Sequence, residues 1–203
     1  MTLTEILELV GALDDAPGDN TPRERFRNHL AKSVTTVGAL RDYIETCLRT
    51  SGTQYARALQ DLVNHAGRLL GFAVEFGRYQ GVQTGIGNDG LWKSPAADFF
   101  VVPEVKTTDA YTVRTSTVVG YIDGLISEKK IPDWDHALGL YLVGRVDASL
   151  SQMTSTIVAE KRLHQLRVAS IETLLTLGEL MERFDVTHDD VLSVLRPGGP
   201  LVG

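Results

Sequence analysis

At Gly71 the spacing of apolar residues along the chain changes, and this change restricts the fold more than any other feature of the sequence. Between Thr53 and about Leu70 the apolar positions are Leu59, Leu62, Val63, Ala66, Leu69 and Leu70, the interval of a helix that buries one stripe. Gly71 is placed to end that helix, because glycine enters the left-handed region without a Cβ penalty. The next segment, "FAVEFGRY", alternates and is rich in aromatic and β-branched residues, so it reads as a strand. "QGVQTGIGNDG" reads as a glycine-rich turn, residues 90–92 as a short strand, "SPAA" as a turn and "DFFVVPEVKT" as a mostly buried strand. Beyond it the pattern predicts a helix over about 113–129, the strand "LGLYLVGRV" and a helix over about 149–165. The strand "LRVASI", the helix "ETLLTLGELMERF" and a short helix opening at Thr187, with Asp190 three residues on, complete the chain. Helix, three strands, helix, strand is an α/β order around a mixed sheet.

The first 50 residues differ in having no strand pattern. Leu3, Ile6, Leu7, Leu9 and Val10 recur at helical intervals until "DDAPGDN" breaks them. A second helix opens at "TPRE", with Thr21 as N-cap, Pro22 in the first turn and Glu24 placed to complete a capping box. A third helical segment covers about 36–49. Residues 1–50 therefore form an N-terminal helical region, with docking or dimerisation as its expected role, and residues 51–203 form the α/β domain.

A chain of 203 residues is long enough to bury an apolar core without staples. Cys47 is the only cysteine, which excludes an internal disulfide framework and a multi-cysteine zinc site within one chain. No run approaches the roughly 20 apolar residues of a membrane span, and "MTLTEILELV" lacks the basic flank of a secretory signal, so a cytoplasmic location without a membrane partner is expected. The formal charge of -6 weighs against phosphate affinity, which comes mostly from Lys and Arg. It does not exclude it, because carboxylates that hold cations contribute to the total and basic groups can gather on one face. The basic candidates are Arg23, Arg25 and Arg27, Arg78, Lys93, Lys129 and Lys130, and Lys161 and Arg162.

Two chemistries overlap in "GIGNDGLWKSPAADFFVVPEVK", residues 85–106. "GIGNDG" has the glycine spacing of a dinucleotide loop, but that loop must feed a helix whose N-terminus meets the pyrophosphate, and "LWKSPAADFF" is strand-like and contains Pro95. The glycines fit a tight turn better. The charged residues fit a cation site. Glu104 and Lys106 are two apart on a strand and share a face, while Val105 points to the core. Asp89, at the head of a neighbouring strand, supplies a second carboxylate. Oxygen donors without His or Cys suit Mg²⁺, with Mn²⁺ as a substitute. An ammonium beside them can stabilise an anionic nucleophile or a pentavalent phosphate. Pro103 lies inside this strand and removes a ladder donor, which predicts an edge or a bulge there.

An Asp at the head of one strand and "PEVK" on the next, inside a helix, strand, strand, strand, helix, strand order, resembles the PD-(D/E)xK nuclease superfamily over about residues 54–180. The resemblance implies a restriction-endonuclease-like mixed β-sheet flanked by helices, and phosphodiester hydrolysis. It implies Asp89 and Glu104 as metal ligands, the Val105 carbonyl as a third, and Lys106 as the catalytic lysine. Relatives often add a glutamate from the preceding helix; here "ALQDLV" offers Gln60 and Asp61, and Gln60 supplies no charge, which leaves the number of metal ions open. Gln60 and Glu75 are the accessory candidates. The function so implied is that of a Mg²⁺-dependent deoxyribonuclease, an endonuclease rather than an exonuclease, from a restriction or phage-defence system. Its partners would be DNA, a second copy in a homodimer and a larger defence complex. The alternatives are a non-catalytic nucleic-acid-binding or assembly subunit that retains the nuclease fold, and an RNase or repair nuclease with the same site.

Other groups have duller readings. Asp98 belongs to a turn, and Thr107, Thr108 and Tyr111 are either phosphate contacts or, with Asp109, part of the next helix cap. "PDWDH" gathers Asp133, Asp135 and His136 in what reads as a solvated loop. The five histidines are too dispersed for a paired site, and Gln152, Glu160, Lys161 and Arg162 read as helix surface.

Overall fold

The computed structural model describes residues 1–80, 87–106, 114–144 and 148–196. Three N-terminal helices, α1 (Leu3–Val10), α2 (Pro22–Ser33) and α3 (Val37–Arg49), precede the long α4 (Thr53–Leu69). Thr2, Thr21 and Thr36 each accept a bond from the backbone three residues on, so side-chain caps set the start of all three short helices. At Thr21 the acid of the expected box turns elsewhere, because the Glu24 carboxylate meets Arg23 and Arg27. Gly71 ends α4 with φ +88, the conformation that its position predicts.

The strands are β1 (Ala73–Phe76), β2 (Gly90–Lys93), β3 (Phe100–Lys106), β4 (Ala137–Val143) and β5 (Leu166–Ser170). They form one sheet in the order β1-β2-β3-β4-β5, antiparallel from β1 to β3 and parallel from β3 to β5. The parallel half needs crossovers. Helix α5 (Thr115–Ser127) lies in the connection from β3 to β4, and α6 (Ala148–Ala159) in that from β4 to β5. Helices α7 (Ile171–Arg183) and α8 (His188–Leu195) follow, the second opened by a complete capping box between Thr187 and Asp190. This is an α/β fold with a mixed five-stranded sheet flanked by helices, as the order of patterns predicts.

The two faces of the sheet are buried in separate apolar clusters. Helices α1 to α4, α7 and α8 pack with Trp92, Val101, Leu138, Leu140 and Leu142 on one face. On the other, Val118, Ile122 and Leu125 of α5 and Met153 and Ile157 of α6 pack with Leu91, Phe100, Val102, Tyr141 and Val143. Covered on both sides, β4 is buried at all seven positions, the expected state of a central parallel strand. The N-terminal helices bury Leu3, Ile6, Phe26, Leu30, Leu40 and Ile44 in the same cluster as α4 and α7.

Pro103 does not produce a bulge. The register of β3 with β4 is unbroken from Phe100 to Lys106. With β2 the pairing covers only Phe100 and Val101, so that ladder ends two residues before the proline, which has no N–H to extend it. The far end of β3 is thereby open on the β2 side.

Candidate active site

The open end of β3 is where Asp89, Glu104 and Lys106 converge. Glu104 and Lys106 leave the same face of the strand, and the Lys106 ammonium donates to Glu104 Oε1 at 2.5 Å. Between them Val105 turns to the opposite face and packs on the larger cluster. Asp89 immediately precedes β2, and its Oδ2 accepts the Val105 N–H at 2.6 Å. The carboxylate thus takes the place of a strand partner where the ladder has stopped. Within a strand the N–H and C=O of one residue leave on the same edge, so the Val105 carbonyl lies on the side that Asp89 occupies.

The electrostatics follow from this crowding. Glu104 is buried, at 6% exposure, and Asp89 is only partly open to solvent. Burial, followed by the charge of Glu104, pushes the Asp89 carboxyl up to about 8, against the pull of the Val105 N–H and of Lys106. On α5 the Tyr121 phenol is pushed up to about 12, first by burial and then by the charges of Glu104 and Asp89. Tyr121 thus feels both carboxylates from the helix that faces them. A hard cation at the two carboxylates would relieve the repulsion, and oxygen donors of this type suit Mg²⁺ or Mn²⁺. Among the described residues no group of three His, Cys, Asp or Glu side chains is arranged to hold a metal. The oxygen donors that lie together here are the Asp89 and Glu104 carboxylates, with the Val105 carbonyl on the same side.

Of the accessory candidates, Gln60 reaches the site and Glu75 does not. Gln60, buried on α4, donates through Nε2 to the carbonyls of Arg78 (3.0 Å) and Asp89 (3.2 Å), so it touches the backbone of a candidate site residue. Glu75 pairs in register with Leu91 and lines a cleft of about 320 Å³ with Lys93, Phe100 and Lys130, at the opposite end of β3 from Glu104. Asp61, next to Gln60, faces away from the site and is fully buried against Arg27, which donates Nε to Oδ2 and Nη2 to Oδ1, both at 3.0 Å.

The basic candidates divide in the same way. Arg23 pairs with Asp15, Arg25 donates to the carbonyls of Asn20 and Val10, and Arg27 is held by Asp61. These three arginines have internal work in place of the phosphate contacts their clustering suggested. Lys93 lies over the Phe100 ring, at 5.3 Å from its centroid. Residues 132–136 are not the formless loop expected. A one-turn 3-10 helix, Trp134–His136, is capped by Asp133, whose carboxylate also meets His136 Nδ1 at 2.6 Å. The pair is surface-exposed, and its histidine is bonded to the acid. Glu160 is also engaged, accepting from Thr115 Oγ1 at the start of α5 and pairing with Arg162. Thr107, Thr108, Asp109 and Tyr111 lie outside the described residues, as does most of the glycine-rich turn. Gly90 opens strand β2, so the helix that a dinucleotide loop requires is missing there.

Two residues of the site escaped sequence reasoning. Tyr121 is one. The other is Asn64, one helical turn beyond Gln60, which donates Nδ2 to the Asp89 carbonyl at 2.8 Å. Its spacing of four from Gln60 was the available signal, since residues so placed share a helix face. A scan against protein-family models finds no match for this chain, and a search of curated proteins finds none.

Proposed function

We propose that this protein is a divalent-cation-dependent nuclease that hydrolyses phosphodiester bonds, with DNA as the favoured substrate and Asp89, Glu104 and Lys106 as its catalytic residues. One observation carries the proposal: the Glu104 carboxylate and the Lys106 ammonium of β3 and the Asp89 carboxylate from just before β2 meet where the ladder between β2 and β3 has stopped. A Mg²⁺ ion bound there would supply positive charge to the phosphate oxygens of the substrate. Asp89 and Glu104 would hold it, with the Val105 carbonyl beside them. Lys106 orients the attacking water and stabilises negative charge as the water oxygen bonds to phosphorus and the bond to the leaving ester oxygen breaks. Gln60 stands where a third acid is often found, and it donates its amide to the Arg78 and Asp89 carbonyls. Restriction or phage defence is the proposed setting, with two copies placing two sites on two strands. Among the described residues no helix is long and apolar enough to cross a membrane.

The test is cleavage of supercoiled plasmid with Mg²⁺ or Mn²⁺, beside single-stranded DNA and RNA of the same sequence. The expected result is cation-dependent nicking that EDTA stops and that Lys106→Ala and Asp89→Asn each abolish. Activity that survives both EDTA and Lys106→Ala overturns the assignment. Preference for the RNA substrate would move the protein to the ribonuclease alternative with the same residues in the same roles.

A further inference from the structure

Asp89 is fixed to the protein by its backbone before its side chain is considered. Its carbonyl accepts from Asn64 Nδ2 at 2.8 Å, Gly77 N–H at 2.9 Å and Gln60 Nε2 at 3.2 Å. A carbonyl has two lone pairs, so three donors from α4 and the end of β1 leave its position no latitude. Asn64 is fully buried, and its own orientation is settled by chemistry. The Trp92 indole can only donate, and it meets Asn64 Oδ1 at 2.8 Å, so the Asn64 amide nitrogen must face Gln60 and Asp89. Backbone contact around the clamp is too close for side chains. A Cβ on Gly90 would lie 2.0 Å from Asn64 Oδ1, and one on Gly77 would lie 1.9 Å from the Asn88 carbonyl oxygen. Trp92 also presses on α4 from within, since a Cβ on Gly67 would meet its ring at 2.7 Å.

We propose that Asn64 is a positioning residue for the cation site: it holds the Asp89 peptide on α4 so that the carboxylate reaches β3 beside Glu104. The inference rests on the cation site put forward above and extends it to a residue that touches neither substrate nor metal. The physical argument is one of lever arms. A carboxylate two bonds from its Cα is aimed by the backbone that carries it, and among the described residues only one of its oxygens is tied, to the Val105 N–H. Loss of the Asn64 donor would remove the shortest of the three bonds and leave the Asp89 peptide to the Gly77 N–H and the longer Gln60 contact, which loosens the aim of the carboxylate. Outer-shell partners of this type change metal affinity by about 10–100-fold.

The experiment is Mn²⁺ titration of the full chain by EPR, with the amide spectrum recorded alongside, for the wild type, Asp89→Asn, Asn64→Leu and Leu174→Ala. Leu174 is buried in the core on α7 and serves as a control that loses stability without removing a hydrogen bond of the clamp. Asn64→Leu is expected to weaken Mn²⁺ binding at least about tenfold and to shift the Val105 amide proton upfield with faster exchange. Leu174→Ala should change neither by more than about twofold. Should Asn64→Leu fail to fold, Asn64→Ser, whose hydroxyl is too short to reach Asp89, takes its place with the same expectation. Wild-type Mn²⁺ affinity and an unmoved Val105 amide in the Asn64 variant would overturn the positioning role and leave the cation site standing. No Mn²⁺ binding by the wild type, or binding indifferent to Asp89→Asn, would overturn the cation site and this inference with it.

Discussion

Two clusters of charge, one around Asp61 and one around Asp89 and Glu104, both take carboxylates out of water. In the first, Asp61 is fully buried and each of its oxygens is answered: Oδ1 by Arg27, Oδ2 by Arg27 and by the Tyr79 hydroxyl at 2.5 Å. The Arg27 guanidinium also donates to the Gly77 carbonyl and lies over the Phe76 ring, at 4.5 Å from its centroid. Burial opposes the charge on Arg27, but Asp61 outweighs it and holds the guanidinium above its ordinary value. In the second cluster two carboxylates face one ammonium. Asp89 Oδ2 and Glu104 Oε1 have one donor each, and among the described residues their other oxygens accept no hydrogen bond. The lesson is that burial of charge does not by itself mark a functional site. A carboxylate whose acceptor sites are filled by protein donors is structural, and one left with unfilled acceptor sites beside a like charge is poised for a cation.

The contrast is sharpest in its responses to substitution. Arg27→Met should destabilise the fold by about 3–5 kcal/mol, the usual result of stranding a buried partner charge. Urea denaturation measures it, and a loss below about 1 kcal/mol would place this pair with ordinary surface ion pairs. Lys106→Met should behave in the opposite way. Cleavage should fall about 10²–10³-fold while the unfolding free energy falls by less than in Arg27→Met, because this lysine is part exposed although its Glu104 partner is buried. A stability loss to match that of Arg27→Met would erase the distinction between the clusters.

Cation binding gives the next effect in size. At 100 times its dissociation constant, Mn²⁺ should stabilise the wild type by about 2.7 kcal/mol, read as a rise in melting temperature that Asp89→Asn abolishes. The pH dependence arises from the same residue. The Asp89 carboxyl is raised from 3.8 to about 8 in the folded protein, so the folded state holds this proton more tightly than the unfolded chain. Its contribution to stability is complete below about pH 4 and is lost as pH rises through about 8. Without cation, melting temperature should therefore decline between pH 5 and 9 with a slope that Asp89→Asn flattens, and Mn²⁺ should restore most at the alkaline end. The smallest change belongs to Glu75→Gln. An acid in the distant cleft should alter stability by no more than about 0.5 kcal/mol and leave Mn²⁺ affinity as it was; a measurable loss of affinity would bring Glu75 into the site.

Much of this was legible in the chain. Local signals are written in neighbouring residues, so the caps at Thr21 and Thr187, the stop at Gly71 and the change of period after it located the elements to within a few positions. The pairing of Glu104 with Lys106 was legible for the same reason, since a strand repeats every two residues whatever it packs against. Failures came where the answer depended on a distant partner. Pro103 reads as an edge or a bulge, and the choice between them falls to the β2 ladder, which stops short of it and leaves an open edge. The arginines of α2 read as solvated surface or phosphate contacts, and Asp15, Asp61 and the Val10 carbonyl engage them instead. Asn64 goes unmarked in the sequence, because the Asp89 carbonyl that it meets, 25 residues away, comes beside it only in the fold.

The sequence by itself determined the alternation of helices and strands, the mixed sheet and the shared face of Glu104 and Lys106, because each depends on periodicity and on residue chemistry at short range. Only the tertiary structure decided which carboxylates are satisfied and which are left wanting. That outcome depends on donors brought from elsewhere in the chain, here Arg27 and Tyr79 to Asp61, and Asn64 and Gly77 to the Asp89 backbone. No pattern of spacing encodes how many donors reach a given oxygen once the chain has folded around it.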